Sequence, residues 1–135
     1  MAGYSGTPLL KKLGIKPQSR VALFNLPPGV KAELQPALSE CRRVKTGELD
    51  FAMLFVKQQK DLLADFPAIA KRLAPAASFW VSWPKKTSGV ATDLTEDVVR
   101  RIGLAGGLVD VKVCAVDEVW SGLKFVIRLK DRKKG

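Results

Sequence analysis

Three short stretches hold the residues best suited to chemistry. The first is Trp83-Pro84-Lys85-Lys86-Thr87-Ser88-Gly89, where two ammonium groups and a hydroxyl follow an indole. Lysines grip phosphate or carboxylate as point charges, and a Ser-Gly turn adds hydroxyl and backbone N–H donors. The second is Asp117-Glu118-Val119-Trp120-Ser121, two adjacent carboxylates beside an indole and a hydroxyl. Such carboxylates can do acid–base work or hold Mg²⁺, and an indole offers a flat face for stacking. The third is Asn25-Leu26-Pro27-Pro28-Gly29, a polar side chain at the head of a rigid turn. Each stretch also has a purely structural reading. Lys85 and Lys86 can be a solvated pair or can bridge to Asp117 and Glu118. Trp83 can pack in a core, and Thr92 or Asp93 can cap a helix.

Other chemistries are excluded by what the chain lacks. It has no histidine. That removes the commonest general base and neutral metal ligand, and with them any serine–histidine or cysteine–histidine pair within one chain. The two cysteines, Cys41 and Cys114, are too few for a disulfide framework and form no zinc-binding cluster. Cys114 lies in an apolar run and reads as a small buried hydrophobe, while Cys41 borders a polar connection. No catalytic, metal or cofactor residue is assigned on these grounds.

Positioning these stretches requires a folded scaffold, and 135 residues suit one domain with a sizeable core. Net charge is +10, from 23 basic against 13 acidic residues, which favours anionic partners: a small molecule, a nucleotide or nucleic acid. The basic stretch Lys130-Asp131-Arg132-Lys133-Lys134 reads as a solvated end, and flexible ends are expected at 1–6 and 130–135. No apolar run reaches the ~20 residues of a membrane helix, and the first residues lack a signal-peptide pattern, so a cytoplasmic location is expected.

The elements follow from periodicity and punctuation. Thr7 to Gly14 reads as a short helix capped by Thr7 with Pro8 in its first turn. Strands are predicted at Arg20–Phe24, Asp50–Val56, Ser78–Trp83, Leu108–Val116 and Leu123–Leu129, with a short edge strand around Arg43-Val44. Pro27 and Pro28 are expected to forbid helix bonding, leaving a weak helix at Lys31–Leu38 disturbed by Pro36. A helix over Gln58–Leu73 is expected to break at Pro67, with Asp65 capping its second piece and Pro75 ending it. Asp93-Leu94-Thr95-Glu96 reads as a capping box for a helix to Leu104, and Asp117–Gly122 as a hairpin connection. Helices between strands imply parallel neighbours, and the short last connection implies an antiparallel pair. The fold class is therefore α/β, a three-layer sandwich with a mostly parallel Rossmann-like sheet ending in an antiparallel hairpin strand. The last strand leaves an edge that a second copy can pair with, so monomer and homodimer both stand.

Leu10-Lys11-Lys12-Leu13-Gly14-Ile15-Lys16-Pro17 before one strand and Leu73-Ala74-Pro75-Ala76-Ala77 before another resemble the layout of a shortened S-adenosylmethionine-dependent methyltransferase fold. That resemblance implies a cofactor loop after the first strand, where this chain has Asn25-Leu26-Pro27-Pro28-Gly29 in place of glycines. It also implies a ribose-binding acidic residue after the next strand, for which there is no clear match. Over the whole chain, Gly3-Tyr4-Ser5-Gly6-Thr7-Pro8-Leu9, Trp83-Pro84-Lys85-Lys86, Asp93-Leu94-Thr95-Glu96, Val111–Val116 and Trp120-Ser121-Gly122-Leu123-Lys124 resemble a bacterial domain-of-unknown-function family, number 3052. That likeness implies a fold and no activity.

Parallel strands share one carboxyl edge, which would gather Asn25, Lys57, Trp83 and Asp117. The candidate ligand-binding residues are thus Asn25, Trp83, Lys85, Lys86, Ser88, Asp117, Trp120 and Ser121. The leading expectation is binding of an anionic small molecule or nucleotide there without catalysis. The alternatives are a nucleic-acid-binding module and a diminished methyltransferase.

Overall fold

The computed structural model describes residues 9–132. The expected contributions of Thr7 and Pro8, the expected flexible end at 1–6, and residues 133–135 of the one expected at 130–135 lie outside them. In chain order the elements are α1 (Leu9–Leu13), β1 (Arg20–Phe24), α2 (Pro28–Leu38), β2 (Arg42–Arg43), β3 (Leu49–Phe55), α3 (Gln59–Ala70), β4 (Leu73–Pro84), α4 (Glu96–Ala105), β5 (Leu108–Ala115) and β6 (Trp120–Ile127). Short 3-10 turns lie at Lys86–Ser88 and at Leu129–Asp131, and beside the second Arg132 Nε donates to the Ile127 carbonyl.

Among the described residues the sheet has six strands in the order β2-β1-β3-β4-β6-β5. β1 runs parallel to β2 and β3, and β3 parallel to β4. β6 is antiparallel to both β4 and β5. The continuous apolar run Phe51–Phe55 is buried throughout, as a central strand covered on both faces requires. On one face Leu62, Phe66 and Ile69 of α3 and Val99 of α4 pack on Phe79, Val81, Leu123 and Phe125. On the other, Leu9 and Leu13 of α1 and Val30, Leu34 and Leu38 of α2 pack on Val21, Phe51, Met53 and Trp80. The indole Nε1 of buried Trp80 donates to the Leu13 carbonyl at 3.1 Å, tying α1 to the sheet. Arg100 of α4 pairs with Glu96, Asp97 and Asp110, which fixes α4 against β5.

Several sequence expectations are corrected, mostly at prolines and caps. α2 starts at Pro28, because the first helical position needs no N–H, and it continues through Pro36. α3 is one helix rather than two. Pro67 sits in its last turns, and the bond it forgoes is to Leu63, which is 58% exposed, so water can take its place. Asp65 caps nothing there. β4 begins at Leu73 and runs through Pro75, which falls where the β3–β4 register is irregular, between the Leu49↔Leu73 and Phe51↔Ser78 pairs. The α4 cap is Thr95, whose Oγ1 accepts from the Val98 N–H at 3.2 Å. Asp93 instead accepts the Gln59 N–H at 2.7 Å, so it serves the first turn of α3. β6 starts at Trp120, so Trp120, Ser121 and Gly122 are strand residues and the hairpin turn is shorter than expected.

Candidate functional site at the carboxyl edge

Because β5 is antiparallel to β6 and β6 to β4, β5 runs with β1, β3 and β4. Phe24, Val56, Trp83 and Val116 therefore end on one rim. Hydrogen bonds lace the loops of that rim together. Asn25 Nδ2 donates to the Phe55 carbonyl at 3.0 Å, joining the ends of β1 and β3. Thr92 Oγ1 donates to the Lys57 carbonyl at 2.6 Å, and Gln59 Nε2 to the Asp93 carbonyl at 3.0 Å, joining the β3–α3 loop to the segment before α4. The Lys85 N–H donates to the Val119 carbonyl at 2.7 Å, joining the loop after β4 to the hairpin turn.

β1 connects to β2 on one side and β3 lies on its other side, so the strand order reverses between β1 and β3. Crevices at such switch points are where open α/β sheets bind ligands. A cleft of about 680 Å³ opens there. Asn25, Leu26, Pro27 and Pro28 form one wall, Phe55, Val56 and Lys57 the floor and far side, and Asp61 and Asp65 come from α3. Trp120 reaches it from β6, packed edge-on to Phe55 with ring centroids 5.1 Å apart. Asn25 adopts φ 60°, the left-handed region that asparagine tolerates better than most residues, and this turns the chain sharply out of β1. The cleft thus has an apolar aromatic floor and a mixed rim of one lysine and two aspartates.

The eight residues read from sequence divide between places. Asn25 and Trp120 share the switch-point cleft. Trp83, Lys85, Lys86 and Ser121 line a second hollow of about 540 Å³, together with Glu96 and Asp97, whose carboxylates pair with Arg100. Trp83 and Trp120 are both largely buried, at 5% and 9% exposure, so each is first a packing residue. Ser88 and Asp117 line neither hollow. Ser88 Oγ donates to the Lys85 carbonyl at 2.7 Å and accepts the Val90 N–H at 3.1 Å. The Ser88 and Gly89 N–H groups are also spent within that turn. Asp117 Oδ1 accepts the N–H groups of Val119 and Trp120 at 2.8 and 2.7 Å, which shapes the hairpin turn. Among the described residues, ion pairs form at Arg20 and Arg100, and none joins Asp117 or Glu118 to Lys85 or Lys86.

Sequence reasoning missed Asp61 and Asp65 and left Lys57 as a rim residue only. Asp61 and Asp65 stand four apart at the start of α3, hence on one helix face, and that spacing was a readable signal. Both thiols are half-buried, and burial pushes the pKa of Cys41 and Cys114 up, which keeps them protonated and poorly nucleophilic.

Comparison with protein-family models finds no match, and comparison with curated proteins finds none, so neither shows the expected bacterial domain-of-unknown-function family. Solved structures do share the fold. The chain is similar to a SAM-dependent methyltransferase from Aquifex aeolicus, with TM-score 0.60 and 15% identity over 87% of this chain and 86% of that one. It is similar to magnesium protoporphyrin IX methyltransferase (ChlM) from Synechocystis PCC 6803 with bound SAH, with TM-score 0.60 and 13% identity over 87% of this chain and 78% of that one. LepI in complex with SAM matches at TM-score 0.54 and 16% identity over 89% of this chain, which spans 39% of LepI. At these identities the likeness is one of fold, and it gives the chain a Rossmann-like, methyltransferase-like architecture.

Proposed function

We propose that the chain binds a small molecule with both charges and an aromatic or apolar part in the switch-point cleft, without catalysing a reaction on it. The observation that carries this reading is the position of the cleft, between the ends of β1 and β3, with Phe55 and Trp120 below and Lys57, Asp61 and Asp65 at its rim. Lys57 suits a carboxylate, the two aspartates suit an ammonium or other cation, and the aromatic floor suits a ring. A purely anionic ligand is less well served, because the aspartates outnumber the lysine.

The neighbours in fold include structures holding SAM or SAH. The residues here do not fit that cofactor held on backbone amides. Pro27 and Pro28 have no N–H to offer, and β2, where an acidic residue would meet the ribose, is Arg42-Arg43. With those two amides missing, a ligand in this cleft relies chiefly on the side chains of Lys57, Asp61 and Asp65. Calorimetry with S-adenosylhomocysteine, phenylalanine and ATP tests the reading. A zwitterion should give saturable heat that falls about tenfold in affinity, the equivalent of one charge-assisted hydrogen bond, in Lys57→Gln or Asp61→Asn. Heat from ATP alone, or from none of the three, would remove it.

A second reading, nucleic-acid binding, is favoured by one feature. Lys112 and Lys124 are register partners on the hairpin, and burial together with the charges of Lys112 and Lys16 lowers the Lys124 pKa. Phosphates laid on that lysine cluster would relieve it, with an affinity that falls steeply as salt rises. Retention of RNA or DNA that ignores salt would exclude it.

A further inference from the structure

β2 and β3 are parallel strands on either side of β1, yet residues 44–48 alone connect them. Such crossovers normally take about a dozen residues or more and usually carry a helix that covers the sheet. None is present, so the α3-side face of the sheet is left open at β1. The result is a hollow of about 420 Å³ with Ala22, Phe24 and Val44 as its apolar part and Arg43, Lys45 and Arg72 as its charged part.

Among the described residues, every charged residue lining this hollow is a cation. Glu48 and Asp50, which follow this loop, are paired with Arg20. Arg72 is held in place, because its Nε donates to the Gly47 carbonyl at 2.8 Å. Arg72 lines the hollow, and a planar guanidinium fixed through one nitrogen suits a planar or tetrahedral oxyanion.

We propose that this hollow is a second ligand site, for a small organic anion: a carboxylate or phosphate on an apolar body. The oxyanion meets Arg72, Arg43 and Lys45, and the body lies on Phe24 and Ala22. Its volume falls within the range of about 300–1,000 Å³ typical of small-molecule sites. The site is independent of the switch-point cleft, and the two can fail separately.

Amide-resolved NMR titration of the whole chain with phenyl phosphate, benzoate and inorganic phosphate tests it. Phenyl phosphate or benzoate should shift the amides of Ala22, Phe24 and Val44 saturably and leave those of Lys57 and Asp61 in place. Inorganic phosphate, lacking the apolar body, should bind more weakly. Arg72→Gln should weaken binding by about tenfold or more, the loss of a charge-assisted hydrogen bond. Lys45→Gln lies on an exposed loop and leaves the fold intact, so it decides the matter should Arg72→Gln unfold. It should weaken binding several-fold. The proposal is overturned if neither organic anion shifts those three amides, if inorganic phosphate binds as well as phenyl phosphate, or if Lys45→Gln binds unchanged.

Discussion

At the scale of single residues, the rim is held by polar side chains working across loops rather than within them. Asp93 is the clearest case. Its carboxylate accepts the Gln59 N–H, while its own carbonyl accepts from the Gln59 side chain. Asp93→Ala should therefore destabilise the protein by about 1 kcal/mol, the usual worth of a lost helix N-cap, with the damage in the first turn of α3 rather than in α4. Denaturant unfolding with hydrogen exchange at Gln59 to Leu62 reads both the size and the place. Loss of protection at the start of α4 instead would restore Asp93 to the cap read from sequence. That sequence reading failed for a local reason. Asp93 and Thr95 are both good capping residues within three positions, and only the three-dimensional approach of Gln59 decides between them. Asn25 was read as a rim residue, but its left-handed turn and its bond to Phe55 were not, since they depend on a strand 30 residues away.

At the scale of elements, the strands and their directions were legible because their apolar runs are long and their spacings distinct. The prolines were not, because a proline breaks an element only where its missing N–H was needed. Pro28 lies where helices have no such need, and Pro75 lies in an irregular part of the β3–β4 ladder. Glycine gave a signal of close packing that spacing alone does not expose. A Cβ on Gly103 would stand 2.1 Å from the Phe125 ring, so α4 approaches β6 as closely as it does only because Gly103 has no side chain. Phe125 is fully buried and has little room to retreat. Gly103→Ala should cost about 1–3 kcal/mol, the range for overpacking a tight core, in spite of alanine's better helix propensity. A chemical-denaturation midpoint at or above that of the parent would show that α4 can slide.

At the scale of the whole molecule, the chain is a trimmed doubly wound sheet: four parallel strands, a closing hairpin, and one crossover reduced to a loop. Its amino rim is fastened by Arg20, which meets Asp50 at 2.8 Å and Glu48 at 3.3 Å. The Arg20 guanidinium holds the Asp50 carboxyl below the usual carboxylate range, against the opposing effect of burial. A carboxyl depressed in the folded state adds stability that is fully present above its unfolded value, about 3.9, and is lost as pH falls below that. Acid unfolding should therefore be less steep below about pH 4 in Asp50→Asn than in the parent. Because both partners are about a third exposed, the effect is modest. Equal acid sensitivity in the two proteins would mean that the pair adds nothing. The central claim, however, concerns the opposite rim, and amide-resolved NMR of the protein with S-adenosylhomocysteine and with phenylalanine tests it most directly. Saturable shifts at Asn25, Lys57 and Asp61 with at least one of the two, weakened by Lys57→Gln, are the predicted result. Shifts confined to Lys85 and Lys86, or none with either compound, would contradict it.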